Sequence, residues 1–323
     1  MPPSPEPRVT AVMVTYNSKA TLPRALAGLK ASFDRGLCSC VVVDNDSKDG
    51  TADYVRAEHP WVDLVATGEN LGFGRGNNRG FARADTEYVL LLNPDAELTP
   101  AALQQLIDFL DAQAEVGIVG PAIREAGHPD QPVFRFPTPG TMLCHALGRL
   151  GGSAGALARP IEPRRYRVDW LCGAVLLVRR ALLQTIQGFD PRFFLYFEET
   201  DLCLRARQAG FETWVLGDVV AGHYGGTSTK AVQRPMWEGC IAEHYFKSRH
   251  YYMRKHHGVV LATLAELAEM LLITVHGLAK AIVGRPNQDR VRRRWRAPIL
   301  RLPRLITDEP RLPEPNPRAL ATH

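Results

Sequence analysis

Two acidic segments, far apart in the chain, carry the residues best suited to chemistry. The first, Asn93-Pro94-Asp95-Ala96-Glu97, follows an apolar run and places a carboxylate at the end of a predicted strand. The second, Glu198-Glu199-Thr200-Asp201, follows an aromatic run and begins a predicted helix. A strand-end carboxylate suits a metal-bound diphosphate, and a carboxylate beside a packed wall suits a general base. The two segments together predict group transfer from a nucleotide-activated donor.

Asp95 is the predicted metal ligand of the first segment. Mg²⁺ or Mn²⁺ bound to a diphosphate needs only one or two protein carboxylates, because phosphates and water complete the shell. Glu97 either assists Asp95 or faces solvent. His223, which has a glycine before it and Gly225 after Tyr224, is either a further metal ligand or a structural histidine.

The second segment has two interpretations. Acids favour helix N-termini, so Glu198, Glu199 and Asp201 could simply complement the helix dipole. Two further acids beside the apolar wall 193–197 (Phe-Phe-Leu-Tyr-Phe) exceed what a cap requires. A carboxylate held there could deprotonate an acceptor hydroxyl group.

Alternating strand and helix patterns must position these segments. Buried strands are predicted at 9–14, 41–43, 61–65 and 88–92, with helices between them at 18–33, 50–58 and 73–84. The alternation predicts βαβ units in a mostly parallel sheet, where ligands bind at the carboxyl ends of the strands. Polar residues follow those strand ends: Thr15, Tyr16, Asn17, Asp44, Asn45, Asn70, Asn93 and Asp95.

The residues after the first two strands are candidates for nucleoside binding. An aspartate just past a buried strand, such as Asp44, can accept the imide N–H of uracil or thymine. Thr15-Tyr16-Asn17 either meets the nucleoside or serves the next helix, since Asn17 or Ser18 suits an N-cap.

The glycine-rich stretch 70–80 resembles a dinucleotide fingerprint but lacks its third glycine, where Asn77 stands, and it does not follow the first strand. A dehydrogenase is therefore not expected. The glycines either let the backbone approach a ligand, with Arg75 near a phosphate, or form a flexible loop before a helix.

Farther along, helices are predicted at 100–112 and 199–208, strands at 116–119 and 169–178, and two short strands within 212–220. Residues 121–165 have the composition of irregular structure. Residues 259–283 are apolar but interrupted by charges, which predicts an amphipathic helix rather than a spanning one.

Charge and cysteine usage narrow the class of protein. The chain of 323 residues has a net charge of +5, yet residues 285–304 alone hold eight arginines against one aspartate. The rest of the chain is slightly acidic, which argues against a nucleic-acid-binding core and favours contact of one end with an anionic surface. Six cysteines without a Cys-x-x-Cys spacing and an N-terminus without an apolar signal segment predict a cytoplasmic protein.

Taken in order, the motifs resemble the inverting GT-A-fold glycosyltransferases of family 2. The resemblance runs over about 9–226. Its carriers are Val-Thr-Tyr-Asn-Ser at 14–18, Val-Val-Asp-Asn-Asp-Ser at 42–47, the 70–78 stretch, Leu-Asn-Pro-Asp at 92–95, Trp-Leu-Cys-Gly-Ala-Val at 170–175, and 189–205. The Asn-Pro-Asp version is similar to the bacterial rhamnosyltransferase-like branch.

The resemblance implies a role for each motif residue. Asp44 would contact the donor base, Asp95 would match the last acid of the family's Asp-x-Asp motif, and His223 would complete the metal shell. Glu199 would stand in place of the catalytic base, with Glu198 as the alternative, and Asp201 would contact the acceptor. Asn93 replaces the first acid of Asp-x-Asp, and Glu199 replaces the usual aspartate.

The resulting hypothesis is an inverting transferase that uses a nucleoside-diphosphate sugar, with dTDP-rhamnose as first choice, and a divalent cation, Mg²⁺ or Mn²⁺. The acceptor would be a saccharide or a polyprenyl-linked saccharide of cell-surface polysaccharide synthesis. Alternatives are a galactofuranosyl- or N-acetylhexosaminyl-transferase on the same fold, or a catalytically silent glycan- or sugar-nucleotide-binding protein.

The predicted organisation is α/β. A disordered N-terminus, 1–8, precedes a GT-A domain at 9–257, with a nucleotide-binding half at 9–98 and an acceptor half at 99–257. An amphipathic helical and basic extension, 258–304, would meet an anionic membrane surface, and 305–323 would be disordered. We expect a cytoplasmic protein, peripheral on the cytoplasmic face of the inner membrane, with no nucleic-acid partner.

Overall fold

The computed structural model describes residues 6–125, 130–144, 158–224, 240–282, Trp295 and 311–313, and in the range 240–282 it describes side chains from Glu243 onward. Its strands are β1 (Val9–Thr15), β2 (Cys38–Asp44), β3 (Asp63–Ala66), β4 (Tyr88–Leu92), β5 (Ala96–Glu97), β6 (Val116–Glu125), β7 (Val133–Phe134), β8 (Ala158–Arg159), β9 (Arg165–Val168), β10 (Val175–Arg179) and β11 (Glu212–His223). Its helices are α1 (Leu22–Phe33), α2 (Thr51–Glu58), α3 (Phe73–Phe81), α4 (Pro100–Ala112), α5 (Arg180–Ile186), α6 (Glu198–Gln208), α7 (Cys240–His257) and α8 (Val259–Ile282).

A nine-stranded sheet forms the centre, in the order β3-β2-β1-β4-β10-β6-β11-β5, with β9 also paired to β11. The strands β3, β2, β1 and β4 run parallel, as do β6 and β11, whereas β10 runs antiparallel to both of its neighbours. The α/β class with a mostly parallel central sheet, predicted from the alternating pattern, is confirmed.

Apolar residues cover both faces of the sheet, which is why β1 and β4 read as continuous apolar runs rather than alternating ones. One face packs against α1 and α4 through residues such as Leu26 and Leu106. The other face packs against α3, α6, α7 and the start of α8 through residues such as Phe81, Leu202 and Tyr252. The sheet is therefore a rigid layer from whose strand ends side chains project.

Several elements differ from their predicted bounds. The strand predicted at 169–178 is observed only as Val175–Arg179, because the chain before it turns toward α6 at Gly173. The two short strands predicted within 212–220 are one strand, β11, with a register shift between Leu216 and Val220. In the stretch predicted to be irregular, β6 continues to Glu125, and β7 and β8 pair as a small two-stranded antiparallel sheet.

The C-terminal extension is helical where the structure describes it. Gly258, at φ +82°, ends α7 and starts α8, which then packs back on α7. Within the tail predicted to be disordered, Leu312 is buried, and its backbone N–H and C=O both bond to the Gln187 side chain. The predictions for 1–5, 283–294, 296–310 and 314–323 lie outside the described residues.

Candidate functional site

The parallel pairing of β1 with β2 places their polar ends side by side. Thr15 aligns with Asp44, and its hydroxyl donates to Asp44 Oδ1 at 2.9 Å. The Ser47 N–H donates to the other carboxylate oxygen at 3.0 Å. Asp44 is thus buried with its carboxylate fixed in orientation at the sheet edge.

The loop after β1 is tied to the loop after β2. Asn17, at φ +52°, donates its N–H to the Ser47 hydroxyl and accepts from the Lys48 N–H at 2.7 Å. The N-cap of α1 is Thr21, so neither Asn17 nor Ser18 has the capping role that was its alternative. Tyr16 follows Thr15, the residue aligned with Asp44, and is 43% exposed.

The glycine-rich stretch connects the nucleotide half to the aromatic wall. A Cβ at Gly72, whose φ is +81°, would lie 2.3 Å from the carbonyl oxygen of Phe194, and that oxygen accepts from the Phe73 N–H. Asn70 accepts from the Gly72 N–H, and Asn45 donates to the Gly72 carbonyl. Gly72 therefore serves a close backbone contact within the protein, and Arg75 lies half-buried in the first turn of α3.

A second corner forms where β4 ends. Asp95 is buried, and its Oδ1 lies 3.2 Å from His223 Nε2 at the end of β11. On the other side of the ring, His223 Nδ1 lies 2.8 Å from Glu125 Oε1. The Tyr224 N–H donates to the Asp95 carbonyl, which fixes the loop. We call Asp95, His223 and Glu125 the leaving-group corner.

The charges of this corner compensate one another. Burial alone would lower the pKa of His223, but the hydrogen bonds and charges of Asp95 and Glu125 outweigh it and raise that pKa. With Nδ1–H donated to Glu125, the neutral ring presents the Nε2 lone pair on the side of Asp95. Nε2 and Asp95 Oδ1 are 3.2 Å apart, and a cation could bind both atoms in place of a proton.

This donor set fits a divalent cation shared with a diphosphate. It offers one carboxylate and one imidazole, with the imidazole held by an outer carboxylate as is usual for a metal-bound histidine. Among the described residues, no group of three or more histidine, cysteine or acidic side chains forms a closed metal site. A diphosphate and water would therefore have to supply the remaining ligands.

The third corner is the start of α6, which we call the base corner: Glu198, Glu199 and the loop at Gly173. Tyr196 and Phe197 precede it with φ of +68° and +67°, a conformation that costs free energy in residues with bulky side chains. Glu198 is buried, and its Oε2 has no hydrogen-bond partner among the described residues. Glu199 is only half-buried, and its Oε1 accepts from the Gly173 N–H at 3.2 Å.

Burial raises the pKa of both glutamates above the ordinary value, and the charge of Glu199 raises that of Glu198 further. Within the described part of the chain, neither carboxyl group has an ion-pair partner. A carboxylate with a raised pKa and partial exposure has the properties of a general base.

One loop joins the two acidic segments. The Gly173 N–H bonds to Glu199, and the carbonyl of its neighbour Ala174 accepts from the Asn93 N–H at 2.9 Å. This follows from β10 pairing antiparallel with β4, because the start of β10 then lies beside the end of β4. A Cβ at Gly173 would lie 2.7 Å from Glu199 Cγ, so only glycine lets the carboxyl group approach this loop.

Asp201 has different surroundings although it lies on the same helix. It is fully buried, and its carboxylate contacts Arg205 at 2.7 Å, Lys255 at 2.6 Å and His256 at 2.7 Å. Burial would raise its pKa, but His256, Arg205 and Lys255 outweigh that effect and lower it. Its contacts among the described residues attach α6 to α7, and acceptor contact stays a prediction.

Two residues of these corners had no role in the sequence analysis. Glu125 lies at the end of β6, and only its alignment with His223 in the β6–β11 pair reveals it. Gly173 stands in the Trp-Leu-Cys-Gly-Ala-Val motif, whose glycine signals a close approach without naming its partner.

Comparison with known proteins agrees with this geometry. The family model "Glycosyl transferase family 2" matches residues 10–142. Over 226 residues, the chain is 33% identical to the N-acetylglucosaminyl-diphospho-decaprenol L-rhamnosyltransferase of Mycobacterium tuberculosis, covering 62% of this chain and 70% of that one. The chain belongs to glycosyl transferase family 2 and is an enzyme of the glycosyltransferase class.

Further relatives support the rhamnosyltransferase-like branch. Rhamnosyltransferase WbbL of Escherichia coli is 25% identical over 226 residues, covering 67% of this chain and 83% of that one. The fold is similar to that of the mannosyltransferase PcManGT from Pyrobaculum calidifontis, solved with GDP-Man and Mn²⁺, with a TM-score of 0.59, 20% identity and coverage of 86% and 75%. It is also similar to S. aureus TarS solved with UDP, with a TM-score of 0.52, 17% identity and coverage of 80% and 65%. The predicted GT-A fold is confirmed.

Proposed function

We propose that this glycosyltransferase moves L-rhamnose from dTDP-rhamnose to a saccharide or polyprenyl-linked saccharide, with inversion at the anomeric carbon. The donor proposal rests on its similarity to enzymes named as rhamnosyltransferases, one of which is named as a dTDP-rhamnosyl transferase. The observation that supports the mechanism is the loop 173–174. Its Gly173 N–H donates to Glu199, and its Ala174 carbonyl accepts from the Asn93 N–H, so both acidic segments adjoin this loop.

The nucleoside would bind at the ends of β1 and β2. Asp44, oriented by Thr15 and Ser47, would accept the imide N–H of thymine, and Tyr16 would cover the ring. Asn17, Asn45 and Asn70 would maintain the loops that surround the nucleoside.

The diphosphate would lie at the leaving-group corner. Asp95 and His223 would hold a divalent cation, which when bound neutralises charge that develops on the leaving diphosphate. Glu125 would keep the His223 ring in its metal-binding tautomer, and Arg75 would contact a phosphate. Asn93 supplies no charge, so Asp95 would be the carboxylate ligand from this segment.

Glu199 would be the base. It would take the proton of the acceptor hydroxyl while that oxygen forms a bond to the anomeric carbon and the bond to the diphosphate oxygen breaks. We favour Glu199 over Glu198 because Glu199 is partly exposed, whereas Glu198 is 2% exposed. Glu198 would remain a buried neighbour of the base, with its own pKa raised by burial and by the charge of Glu199.

The extension 258–304 would hold the enzyme on an anionic membrane, at the cytoplasmic face, where a polyprenyl-linked acceptor would be present. Each arginine near such a surface contributes about 1 kcal/mol of attraction, and 285–304 holds eight of them.

The test is nucleoside-diphosphate release from a panel of dTDP- and UDP-sugars with a polyprenyl-diphosphate-linked saccharide acceptor and Mg²⁺ or Mn²⁺. We expect release from dTDP-rhamnose, lowered by about a hundredfold or more in Glu199→Ala and Asp95→Ala. Asp53→Ala, an exposed carboxylate on α2, is the matched control and should act like the wild type. If only a UDP-hexose gave release, the proposal of dTDP-rhamnose as donor would be wrong. If all variants released nucleoside diphosphate at the same rate, the assignment of Glu199 and Asp95 would be wrong.

A further inference from the structure

The polarity of α8 is the reverse of that of most helices on the surfaces of soluble proteins. Such helices turn apolar side chains inward and charged ones outward. In α8, Glu266 and Glu269 are buried, whereas Leu264, Leu267 and Leu271 are more than half exposed. The helix is also long and apolar enough to cross a membrane by length and composition.

The buried face is held by a charge cluster. Arg249 of α7 reaches both glutamates: its Nε and Nη2 bond to Glu266 at 3.0 and 2.8 Å, and its Nη1 bonds to Glu269 at 3.0 Å. All three side chains are less than a tenth exposed. Ala262, Ala265 and Met270 pack on the same side. These contacts set the rotation of α8 about its own axis.

The opposite face carries what we call the outer stripe, whose members are three or four residues apart and each at least half exposed: Val260, Leu264, Leu267, Leu271, Val275, Leu278 and Ile282. At about 100° per residue these positions fall within one narrow sector of the helix. The charged residues of α8, Glu266, Glu269 and Lys280, fall in the opposite sector.

Three arrangements could cover the outer stripe. A spanning helix is disfavoured, because α8 would have to leave α7 and carry Glu266 and Glu269 into the lipid. A second copy of the chain would add another arginine-rich segment, and a net positive charge in both copies opposes their association, whereas it favours an anionic surface. An anionic bilayer instead offers hydrocarbon to the stripe and negative charge to the arginines.

Trp295 provides an independent observation. It lies against α8, where its indole N–H donates to the Thr274 hydroxyl at 2.9 Å, and it is 58% exposed. An exposed tryptophan beside an apolar stripe matches the aromatic residues found at membrane–water boundaries.

We propose that α8 lies flat in the interface of an anionic membrane, with the outer stripe among the acyl chains and the Arg249 cluster holding the helix parallel to the surface. This inference refines the membrane partner proposed above and is independent of donor, cation and base. Vesicle binding is measured without any substrate, so its failure and the failure of the transferase assignment are distinguishable.

The first experiment is flotation of the full chain with vesicles of phosphatidylcholine, alone or mixed with phosphatidylglycerol. We expect binding to the mixed vesicles, weakened by at least about a hundredfold in Leu264→Gln/Leu271→Gln/Leu278→Gln, since three leucine side chains lose their burial. The matched control, the same positions changed to Met, should float like the wild type. Unchanged thermal unfolding of both variants shows that the fold survives.

The second experiment measures depth. Nitroxide labels at Leu264→Cys, Leu271→Cys and Leu278→Cys, with Cys144 and Cys240 replaced by serine, are compared for oxygen accessibility in mixed vesicles. A flat helix gives three similar depths. A spanning helix separates the outer two by about 21 Å at 1.5 Å per residue.

Three results overturn the proposal: flotation of the glutamine variant equal to that of the wild type, depths that change steadily along α8, or a wild-type dimer that the glutamine variant makes monomeric without vesicle binding by either protein. Equal binding to both vesicle types would remove the anionic requirement and leave only hydrophobic attachment.

Discussion

The leaving-group corner and the base corner both contain buried carboxyl groups, but their electrostatics are opposite. Asp95 faces His223, and Asp201, nearby in sequence to the base, faces Arg205, Lys255 and His256. Glu198 and Glu199 face no cation within the described ranges. The partners of Asp201 lower its pKa, whereas burial without such partners raises the pKa of Glu198 and Glu199. The same residue type therefore performs different tasks according to its neighbours.

Replacement of Glu199 tests the largest consequence of this difference. Glu199→Gln keeps the size and the bond from Gly173 but removes proton affinity, so we expect transfer to fall about a hundredfold to ten-thousandfold. Binding of the nucleotide, measured by calorimetry with dTDP, should be unchanged. A variant that retains more than a tenth of the wild-type rate would remove the base assignment.

Replacement of Asp201 tests the compensated carboxylate on the same helix. Asp201→Asn leaves Arg205, Lys255 and His256 without the carboxylate that they share, and we expect a loss of about 3–5 kcal/mol in the free energy of unfolding. Because the folded-state pKa of Asp201 is lowered, its contribution is present above the unfolded pKa and disappears as pH falls through the folded one. Denaturant unfolding at neutral and acidic pH measures both effects. If Asp201→Asn were as stable as the wild type, Asp201 would not have the structural role that distinguishes it from Glu199.

Replacement of Glu125 tests the leaving-group corner without touching a predicted ligand. Glu125→Gln weakens the bond that fixes the His223 tautomer, and we expect the Mn²⁺ concentration for half-maximal transfer to rise about 10- to 100-fold. The rate at saturating Mn²⁺ should change less. As a control, Glu162→Gln alters an exposed ion pair and should leave the Mn²⁺ requirement unchanged.

Replacement of Glu198 is expected to have the smallest effect on transfer, and the pH dependence of the rate tests this. The raised pKa of Glu199 means that the base becomes protonated above the ordinary glutamate range, so activity should decline there as pH falls. Burial causes this rise, and the Glu199 charge acts on Glu198 rather than the reverse, so in Glu198→Gln we expect the decline at the same pH with little change in the maximal rate. A pH–rate profile of both proteins decides this. A large loss of maximal rate would instead favour Glu198 as the base.

Much of the fold was accessible from sequence because local signals agreed. The valine-rich strands, the helix between them with Leu22, Leu26 and Leu29, and the polar residues after each strand define a parallel sheet and its ligand edge. The predicted bounds 169–178 and 212–220 were wrong because a neighbouring element decides the conformation there. At 169–178 the chain meets Glu199 at Gly173, and at 212–220 the register of β6 with β11 shifts.

By itself, the sequence determined the family, the α/β class and the identity of the acidic residues, because these follow from residue types in order along the chain. Only the tertiary structure decided which carboxylate meets which partner. The antiparallel insertion of β10 beside β4 brings Asn93 and Glu199 to one loop, and the pairing of β6 with β11 sets Glu125 behind His223. Those contacts join residues far apart in the chain, and their electrostatic effect depends on distances that no local pattern contains.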